Sequence, residues 1–172
     1  MIINFLIILV CVAADQISKF LVLEYLDKTT TYPIIENVFH FTYVENPGAA
    51  FGMLADNRWV FMILSVVGIS ALIIWLAIEK PKSMWIRTAA AMIAGGGIGN
   101  MIDRIAYGYV VDFIDCRFID FYVFNIADSF VCVGCFMFII GVIVDEIRTA
   151  KKQKLSEACE VESKKDGESH EC

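Results

Sequence analysis

The sequence predicts an all-α integral membrane protein with four transmembrane helices and a small β element outside the membrane. Of the 172 residues, 58% are hydrophobic and only 20% are charged, whereas a soluble domain has about half and a quarter. The mean hydropathy is +0.65. Four segments, residues 2–26, 59–78, 85–107 and 124–147, each supply the roughly 20 mostly apolar residues that cross a bilayer core.

The ends of these segments support the four-span prediction. Trp59, Trp85 and Tyr107 lie where a span meets the headgroup region, a position that amphipathic aromatic rings favour. The first segment lacks a basic stretch before its apolar run, and that run continues past Ala13 and Ala14. These features favour a retained span over a cleaved signal peptide.

The distribution of Lys and Arg predicts the orientation, because short cytoplasmic connections carry an excess of basic residues. The connection between spans two and three and the segment after span four both carry such an excess, so both termini are expected in the cytoplasm. Connections 27–58 and 108–123 then face outward. The basic residues are Lys80, Lys82, Arg87, Arg148, Lys151, Lys152 and Lys154.

The chain divides into a membrane domain, residues 1–148, and a charged cytoplasmic tail, residues 149–172. The tail mixes Lys with Glu and Asp and has few apolar residues, so we expect it to be disordered. The net charge is −6, and no basic stripe is present that would neutralise phosphates, so a nucleic-acid partner is not expected.

The first outward connection contains a strand pattern. Residues 38–45 alternate, with Phe39, Phe41 and Tyr43 on one face. Asn46, Pro47 and Gly48 follow as a turn. The second outward connection places Asp112 among apolar residues just beyond the third span.

Three spans each carry a polar stripe, and the predicted orientation brings the stripes to the same outward depth. The members of each stripe are spaced i, i+3, i+4 and therefore share a helical face. Ionisable residues inside spans are costly and indicate function, although polar clamps between helices are a structural alternative. The stripes are Asp15, Ser18 and Lys19; Asn100, Asp103 and Arg104; Asn125, Asp128 and Ser129.

Gly95 and Gly99 form a small-xxx-small pair on the third span, which predicts a close helix–helix approach.

Few kinds of catalysis are compatible with this set of polar residues. The sequence has no HExxH motif, no metal-ligand cluster and no serine nucleophile elbow. Asp112 and Asp128, on either side of the second outward connection, can meet as a pair of carboxylates that share one proton and activate water. Two structural readings stay open: Asp112 as an ion-pair partner of Arg104, and Asp128 as an acidic first-turn residue that the helix dipole favours.

Five blocks of sequence resemble the signature motifs of the bacterial lipoprotein signal peptidases (signal peptidase II), in that family's order and spacing. The resemblance extends over residues 1 to about 148. The blocks are Asp15-Gln16-Ile17-Ser18-Lys19, Asn46-Pro47-Gly48-Ala49-Ala50-Phe51-Gly52, Gly96-Gly97-Ile98-Gly99-Asn100-Met101-Ile102-Asp103-Arg104, Val110-Val111-Asp112-Phe113 and Phe124-Asn125-Ile126-Ala127-Asp128-Ser129.

The resemblance implies a multi-pass enzyme of the bacterial inner membrane that needs no cofactor or metal. It implies cleavage of diacylglyceryl-modified prolipoproteins on the N-terminal side of the lipidated cysteine, with Asp112 and Asp128 as the catalytic pair. The strand segment resembles the family's extracytoplasmic β cradle. Substrate and membrane lipids are the expected partners, and a monomer is expected. Supporting or substrate-contacting roles fall on Asp15, Asn46, Asn100, Arg104 and Asn125.

Two other classes of membrane protein share parts of the pattern. Cys132 and Cys135 have the spacing of a disulfide oxidoreductase, but they lie inside an apolar span, and the outward connections hold only Cys116. A transporter or channel requires a polar path through the full membrane depth, whereas the inner halves of all four spans are almost wholly apolar.

Overall fold

The computed structural model describes residues 2–48, 58–119 and 121–168. Within them the chain forms four α-helices and three β-strands. The order is α1 (Ile2–Tyr25), β1 (Thr31–Ile35), β2 (Phe39–Asn46), α2 (Arg58–Ile78), α3 (Met84–Ala106), β3 (Val110–Cys116) and α4 (Ile126–Glu168), with a 3-10 turn at Arg117–Ile119 between β3 and α4. The helical membrane architecture and the small sheet agree with the sequence prediction.

Helix α3 is the central helix, since it packs against α1, α2 and α4. The side-chain oxygen of Ser83 caps its start by accepting a hydrogen bond from the Ile86 N–H, 3.4 Å away. Its end is followed by Gly108, whose φ of 85° lies in the left-handed region that glycine adopts without strain. The chain can therefore turn sharply from α3 into β3.

Three helices of the described chain are long and apolar enough to span a membrane by length and composition, and they belong to α1, α2 and α4. Helix α3 does not meet that criterion. The reason lies in its position: its small and polar residues, such as Gly99, Asn100 and Asp103, face neighbouring helices rather than lipid. The predicted four spans therefore correspond to four helices, of which the central one is only moderately apolar.

The glycine pair of α3 faces α1. A Cβ added at Gly95 would lie 2.7 Å from the Cβ of Cys11, and one added at Gly99 would lie 2.5 Å from Oδ2 of Asp15. Such distances leave no room for a side chain. The close approach brings Asp15 directly against the polar part of α3.

The three strands form one antiparallel sheet in the order β1-β2-β3. Only β2 was predicted from the sequence. Phe39 and Phe41 contact each other, and Phe41 contacts Phe113 of β3, with ring centroids 5.4 and 6.0 Å apart. The register shifts between Phe41 and Val44, and Tyr43 lies beneath the Lys28 ammonium instead of joining the aromatic cluster.

The structure differs from the predicted disorder of the tail over residues 149–168, where α4 continues without a break to Glu168. Residues 169–172 lie outside the described residues. The segment is rich in Lys, Glu and Ala, which are strong helix formers, and it contains no proline. A helix that has already formed through the membrane also removes the cost of nucleation for the residues that follow.

Candidate active site

A cleft of about 680 Å³ lies between the sheet and the adjoining ends of α3 and α4. One wall is strand β2, and another is the segment between the 3-10 turn and α4. Asp112 and Asp128 both line it, and we call them the cleft pair. The other lining residues are Val44, Glu45, Asn46, Pro47, Asn100, Arg104, Val110, Phe121, Tyr122, Val123, Phe124, Val131 and Cys132.

Strand β3 positions Asp112. Val44 of β2 pairs with Asp112, and Asn46 pairs with Val110, so Asn46 and Asp112 share one face of the sheet. The Asn46 amide donates to Oδ2 of Asp112 at 2.9 Å, and the Asn125 amide donates to Oδ1 at 2.6 Å. Burial raises the pKa of Asp112 to about 6, against the lowering effect of these two hydrogen bonds.

The first turn of α4 positions Asp128. Asn125 precedes the helix, and its side-chain oxygen accepts from the Asp128 N–H at 2.9 Å. In return Oδ2 of Asp128 accepts from the Asn125 N–H at 3.2 Å. This reciprocal pair is a capping box. The structural reading of Asp128 as a first-turn residue is thus correct, and the same residue also lines the cleft.

Two asparagine amides connect the cleft pair. Asn100 of α3 donates to Oδ1 of Asp128 at 2.7 Å, and the Asn125 amide donates both to the Asn100 oxygen, at 3.0 Å, and to Asp112. The chain of contacts therefore runs from Asp112 through Asn125 and Asn100 to Asp128. Both carboxylates are held by neutral donors, and neither forms an ion pair within the described residues.

A second set of charges lies behind the cleft. The Lys19 ammonium contacts Oδ2 of Asp15 at 2.9 Å and Oδ2 of Asp103 at 2.8 Å, and we call these three residues the ionic trio. Each is at most 2% exposed. Asp15 also accepts from the Ala127 N–H at the start of α4, and Asp103 accepts from the Val111 N–H of β3. The trio therefore joins α1 and α3 to both elements that carry the cleft pair.

Arg104 lines the cleft and donates to two backbone carbonyls, those of Gly48 at 2.9 Å and of Asn100 at 3.3 Å. It forms no ion pair with Asp112, so the alternative reading of Asp112 as its salt-bridge partner is wrong. Instead, Arg104 fastens the turn after β2 to α3. The Gly48 N–H in turn donates to the Asn46 side-chain oxygen at 3.0 Å, which orients the Asn46 amide toward Asp112.

The polar stripes predicted from the sequence meet in this region, with two exceptions. Ser18 donates to the Asp15 carbonyl of its own helix, and Ser129 donates to the carbonyl of Asn125, the residue before α4. Asp15 is fully buried and does not line the cleft. Residues 49–52 of the second sequence block lie outside the described residues.

Sequence reasoning assigned no role to Lys19, Gln16 or Asp103. The Gln16 amide donates to Asp15, to Asp103 and to the Gly99 carbonyl, at 3.1, 3.0 and 3.2 Å. The i,i+4 spacing of Asp15 and Lys19 on one helical face was the available signal for an ion pair. The shared depth of the stripes placed Asp103 at the same level, but the sequence did not indicate that it would complete the ion pair.

Comparison with known proteins gives consistent matches. The family model described as signal peptidase (SPase) II matches residues 7–144. The lipoprotein signal peptidase of Clostridioides difficile is 44% identical over 144 residues, which cover 84% of this chain and 97% of that protein. The lipoprotein signal peptidase of Caldanaerobacter subterraneus subsp. tengcongensis is 48% identical over 120 residues, covering 70% and 81%.

The fold matches solved structures over a similar extent. A bacterial membrane enzyme determined by the in meso method at 2.3 Å superposes with a TM-score of 0.79 and 30% identity, covering 85% of this chain and 90% of that one. A second, determined at 1.9 Å, gives 0.75 and 30%, covering 83% and 93%. With the family model and curated relatives agreeing over the helices and the cleft, the chain belongs to the signal peptidase II family and is a membrane-embedded peptidase.

Proposed function

We propose that the protein is an aspartic endopeptidase that removes the signal peptide from diacylglyceryl-modified prolipoproteins, cutting on the N-terminal side of the lipidated cysteine. The observation that carries this proposal is the cleft pair: two carboxylates in one cleft, each held by amide donors and by no cation among the described residues. Curated relatives are named lipoprotein signal peptidases, which supports the substrate class.

The reaction follows from the ordinary chemistry of two nearby carboxyl groups. One keeps its proton because two neighbouring negative charges in a poorly solvated site repel each other. The ionised carboxylate takes a proton from water as the water oxygen attacks the peptide carbonyl carbon. The protonated carboxyl donates to the carbonyl oxygen. When the tetrahedral intermediate collapses, the C–N bond breaks, and the carboxyl group that took a proton from water gives this proton to the leaving nitrogen. The other carboxylate recovers its proton from a hydroxyl group of the intermediate, which leaves a carboxylic acid as the second product.

The surrounding residues have distinct roles in this proposal. Asn46, Asn100 and Asn125 orient the cleft pair, and Arg104 holds the turn after β2 at the mouth of the cleft. Asp15 acts from behind the cleft by fixing the backbone at the start of α4. All of these residues come from one chain, so the proposed active unit is a monomer.

The substrate route follows from the position of the cleft. Val131 and Cys132 lie on α4 beyond Asp128 and extend the cleft along this apolar helix, so a lipid-anchored substrate can approach by diffusing in the bilayer plane. Its acyl chains hold it there, at about 0.8 kcal/mol for each buried methylene. In the proposed topology the protein lies in the bacterial inner membrane, both termini are cytoplasmic, and the sheet and cleft face outward, as the basic residues predict.

The decisive experiment compares the wild type with Asp112→Asn and Asp128→Asn, purified and supplied with a diacylglyceryl-modified prolipoprotein. The expected result is a new N-terminus at the lipidated cysteine with the wild type, and a rate loss of at least about 10³-fold with each variant, since each lacks an essential proton-transfer group. A folded variant that keeps most of the wild-type rate would remove that aspartate from the mechanism.

Asp115→Asn is the matched control. Asp115 lies on β3 like Asp112, but it bonds to Thr42 and Arg117 and does not line the cleft, so its variant should keep the wild-type rate. The same assay with the unmodified precursor tests the substrate class. Equal cleavage of modified and unmodified precursor would contradict the proposed recognition of the lipid.

A further inference from the structure

Lys19 lies behind the residues that line the cleft and does not face the space that a substrate would occupy. It is 2% exposed and does not line the cleft. An ammonium group has three N–H donors, and all three have acceptors: Oδ2 of Asp15 at 2.9 Å, Oδ2 of Asp103 at 2.8 Å and Oδ1 of Asn100 at 2.9 Å. The first two contacts tie helices together. The third reaches a residue that touches the cleft pair.

The third contact restricts how the Asn100 side chain can be oriented. An ammonium can only donate, whereas an asparagine amide offers one oxygen acceptor and one NH₂ donor group on opposite sides. Because Lys19 requires the oxygen, the NH₂ group of Asn100 must point the other way, toward Oδ1 of Asp128 at 2.7 Å. A rotated amide would set its oxygen against the Asp128 carboxylate.

The restriction passes on to Asn125. The Asn100 oxygen has a second lone pair, which accepts from the Asn125 NH₂ group at 3.0 Å. The other hydrogen of that NH₂ group is then directed at Oδ1 of Asp112, 2.6 Å away. The Asn125 oxygen accepts from the Asp128 N–H, which is consistent with the same orientation. The three hydrogen bonds that the side-chain amides of Asn100 and Asn125 donate among themselves and to the cleft pair therefore all have the direction that the ammonium requires.

We infer that Lys19 is a positioning residue for the proposed reaction: by fixing the amide orientations of Asn100 and Asn125, it presents one amide donor to each aspartate of the cleft pair. The inference rests on the proposed function of that pair. Among the described residues, α1 contributes no side chain to the cleft. Through Lys19, however, this helix would control how the amide donors in the cleft are arranged. Its competitor is a purely structural Lys19 that only holds Asp15 and Asp103 together.

The positive charge of Lys19 and the amide donors act in the same direction on the pKa of Asp112. Burial raises the pKa of Asp112, while the amides of Asn46 and Asn125 and the positive charge of Lys19 lower it. Loss of Lys19 removes the charge and releases the amide orientation together. Both changes disfavour an ionised carboxylate in the cleft, so the pH dependence of the rate should respond, which a helix tie alone would not require.

The test uses the full-length protein with the double substitution Lys19→Met/Asp103→Asn, compared with Asp103→Asn alone. The double variant removes one positive and one negative charge, so the summed charge of the trio is the same as in the wild type. The amide oxygen introduced at position 103 can still accept from the Val111 N–H. The two variants therefore differ only at Lys19. Ser18→Ala serves as a second control and should retain wild-type kinetics. Among the described residues, the Ser18 hydroxyl donates only to the carbonyl of Asp15 in its own helix.

We expect the folded double variant to lose about 10- to 100-fold in kcat relative to Asp103→Asn, the same order as the loss found when a group that orients a metal ligand from behind is removed. KM should stay within about threefold, since no substrate contact is changed. The acidic limb of the pH–rate profile should move to higher pH. A folded double variant with the kcat and profile of Asp103→Asn would overturn the inference.

Two further arms keep the result decisive. If the double variant does not fold, Lys19→Gln takes its place. This substitution retains the volume and an N–H donor but removes the charge. It should show a smaller loss of kcat, with the same shift of the acidic limb to higher pH. Failure of both Lys19 variants to fold, with Asp103→Asn folded, would support the purely structural role and refute the inference. Asp112→Asn and Asp128→Asn run alongside: if they are active, the proposed function fails, whereas if they are silent and the Lys19 variants are normal, only the inference fails.

Discussion

The ionic trio and the cleft pair are both built from aspartates, but the partners of those aspartates differ. Asp15 and Asp103 share the Lys19 ammonium and are almost fully buried. Asp112 and Asp128 face a cleft and receive hydrogen bonds from amides. An ammonium balances the charge of the carboxylate that it contacts, whereas an amide NH₂ group donates a hydrogen bond without adding a charge. The kind of partner therefore distinguishes the aspartates of the trio from those of the proposed catalytic pair.

The largest effect on stability should come from neutralising one member of the trio. We expect Asp15→Asn to lower the free energy of unfolding by about 3 kcal/mol, because it leaves a buried ammonium with one carboxylate fewer. Unfolding in mixed detergent micelles measures this loss. If Asp15→Asn were as stable as the wild type, the trio would not stabilise the fold in the way expected here.

Asp112→Asn should behave in the opposite way. The pKa of Asp112 is about 6 in the folded protein and about 3.9 in an unfolded chain. The folded state therefore binds the proton more tightly, and stability falls as the pH rises from about 4 to about 6. The variant lacks this loss, although its NH₂ group opposes one of the two amide donors. Its stability should therefore fall less than that of the wild type between about pH 5 and about pH 7.5. Thermal unfolding at about pH 5 and about pH 7.5, on either side of the folded-state pKa, provides the check.

Gly99→Ala tests whether the trio depends on the close approach of α1 and α3. The new methyl group would lie 2.5 Å from Oδ2 of Asp15, so we expect Asp15 to be displaced and the free energy of unfolding to fall by about 1–3 kcal/mol, as for other overpacked sites. Gly97→Ala is the matched control, since its methyl group meets the terminal Cδ1 of Ile69, which can move aside. Equal losses in the two variants would argue against this explanation.

Asn46→Ala is the mildest test and acts on the cleft pair. The Asn46 hydrogen bond lowers the pKa of Asp112, so its removal should raise that pKa. The limb of the pH–rate profile that reports Asp112 should therefore move to higher pH. Thr42→Val, on the same strand but bonded to Asp115, should leave the profile in place. If neither limb moved upward in Asn46→Ala, Asp112 would not be a titrating group of the reaction.

Helix positions were predictable because hydropathy reflects contact with lipid. The strands were harder to predict. Strand β3 is buried along nearly all of its length, so it lacks the alternation that reveals a half-exposed strand. Strand β1 is exposed throughout and contains Pro33, which disfavours a strand assignment. Only β2, with its alternating aromatics, carried a readable signal.

The site was predictable as a set of residues but not as a network. The matching depth of the polar stripes and the sequence blocks identified Asp112, Asp128 and the asparagines. The direction of each amide depends on which donor or acceptor lies opposite, and for Asn100 that partner is Lys19, 81 positions away in sequence. A contact of this kind needs the helix packing and cannot be read from residue types or local spacing.

The modest apolarity of α3 bears on how the protein enters the membrane. A helix that carries glycines, an asparagine and two ionisable groups at one end is a poor candidate for insertion on its own. Helix α2, which is strongly apolar and precedes it across a short turn, can be inserted with it as a hairpin. Because α1 and α4 pack against the polar part of α3, we expect the candidate active site to form only when these helices assemble in the membrane.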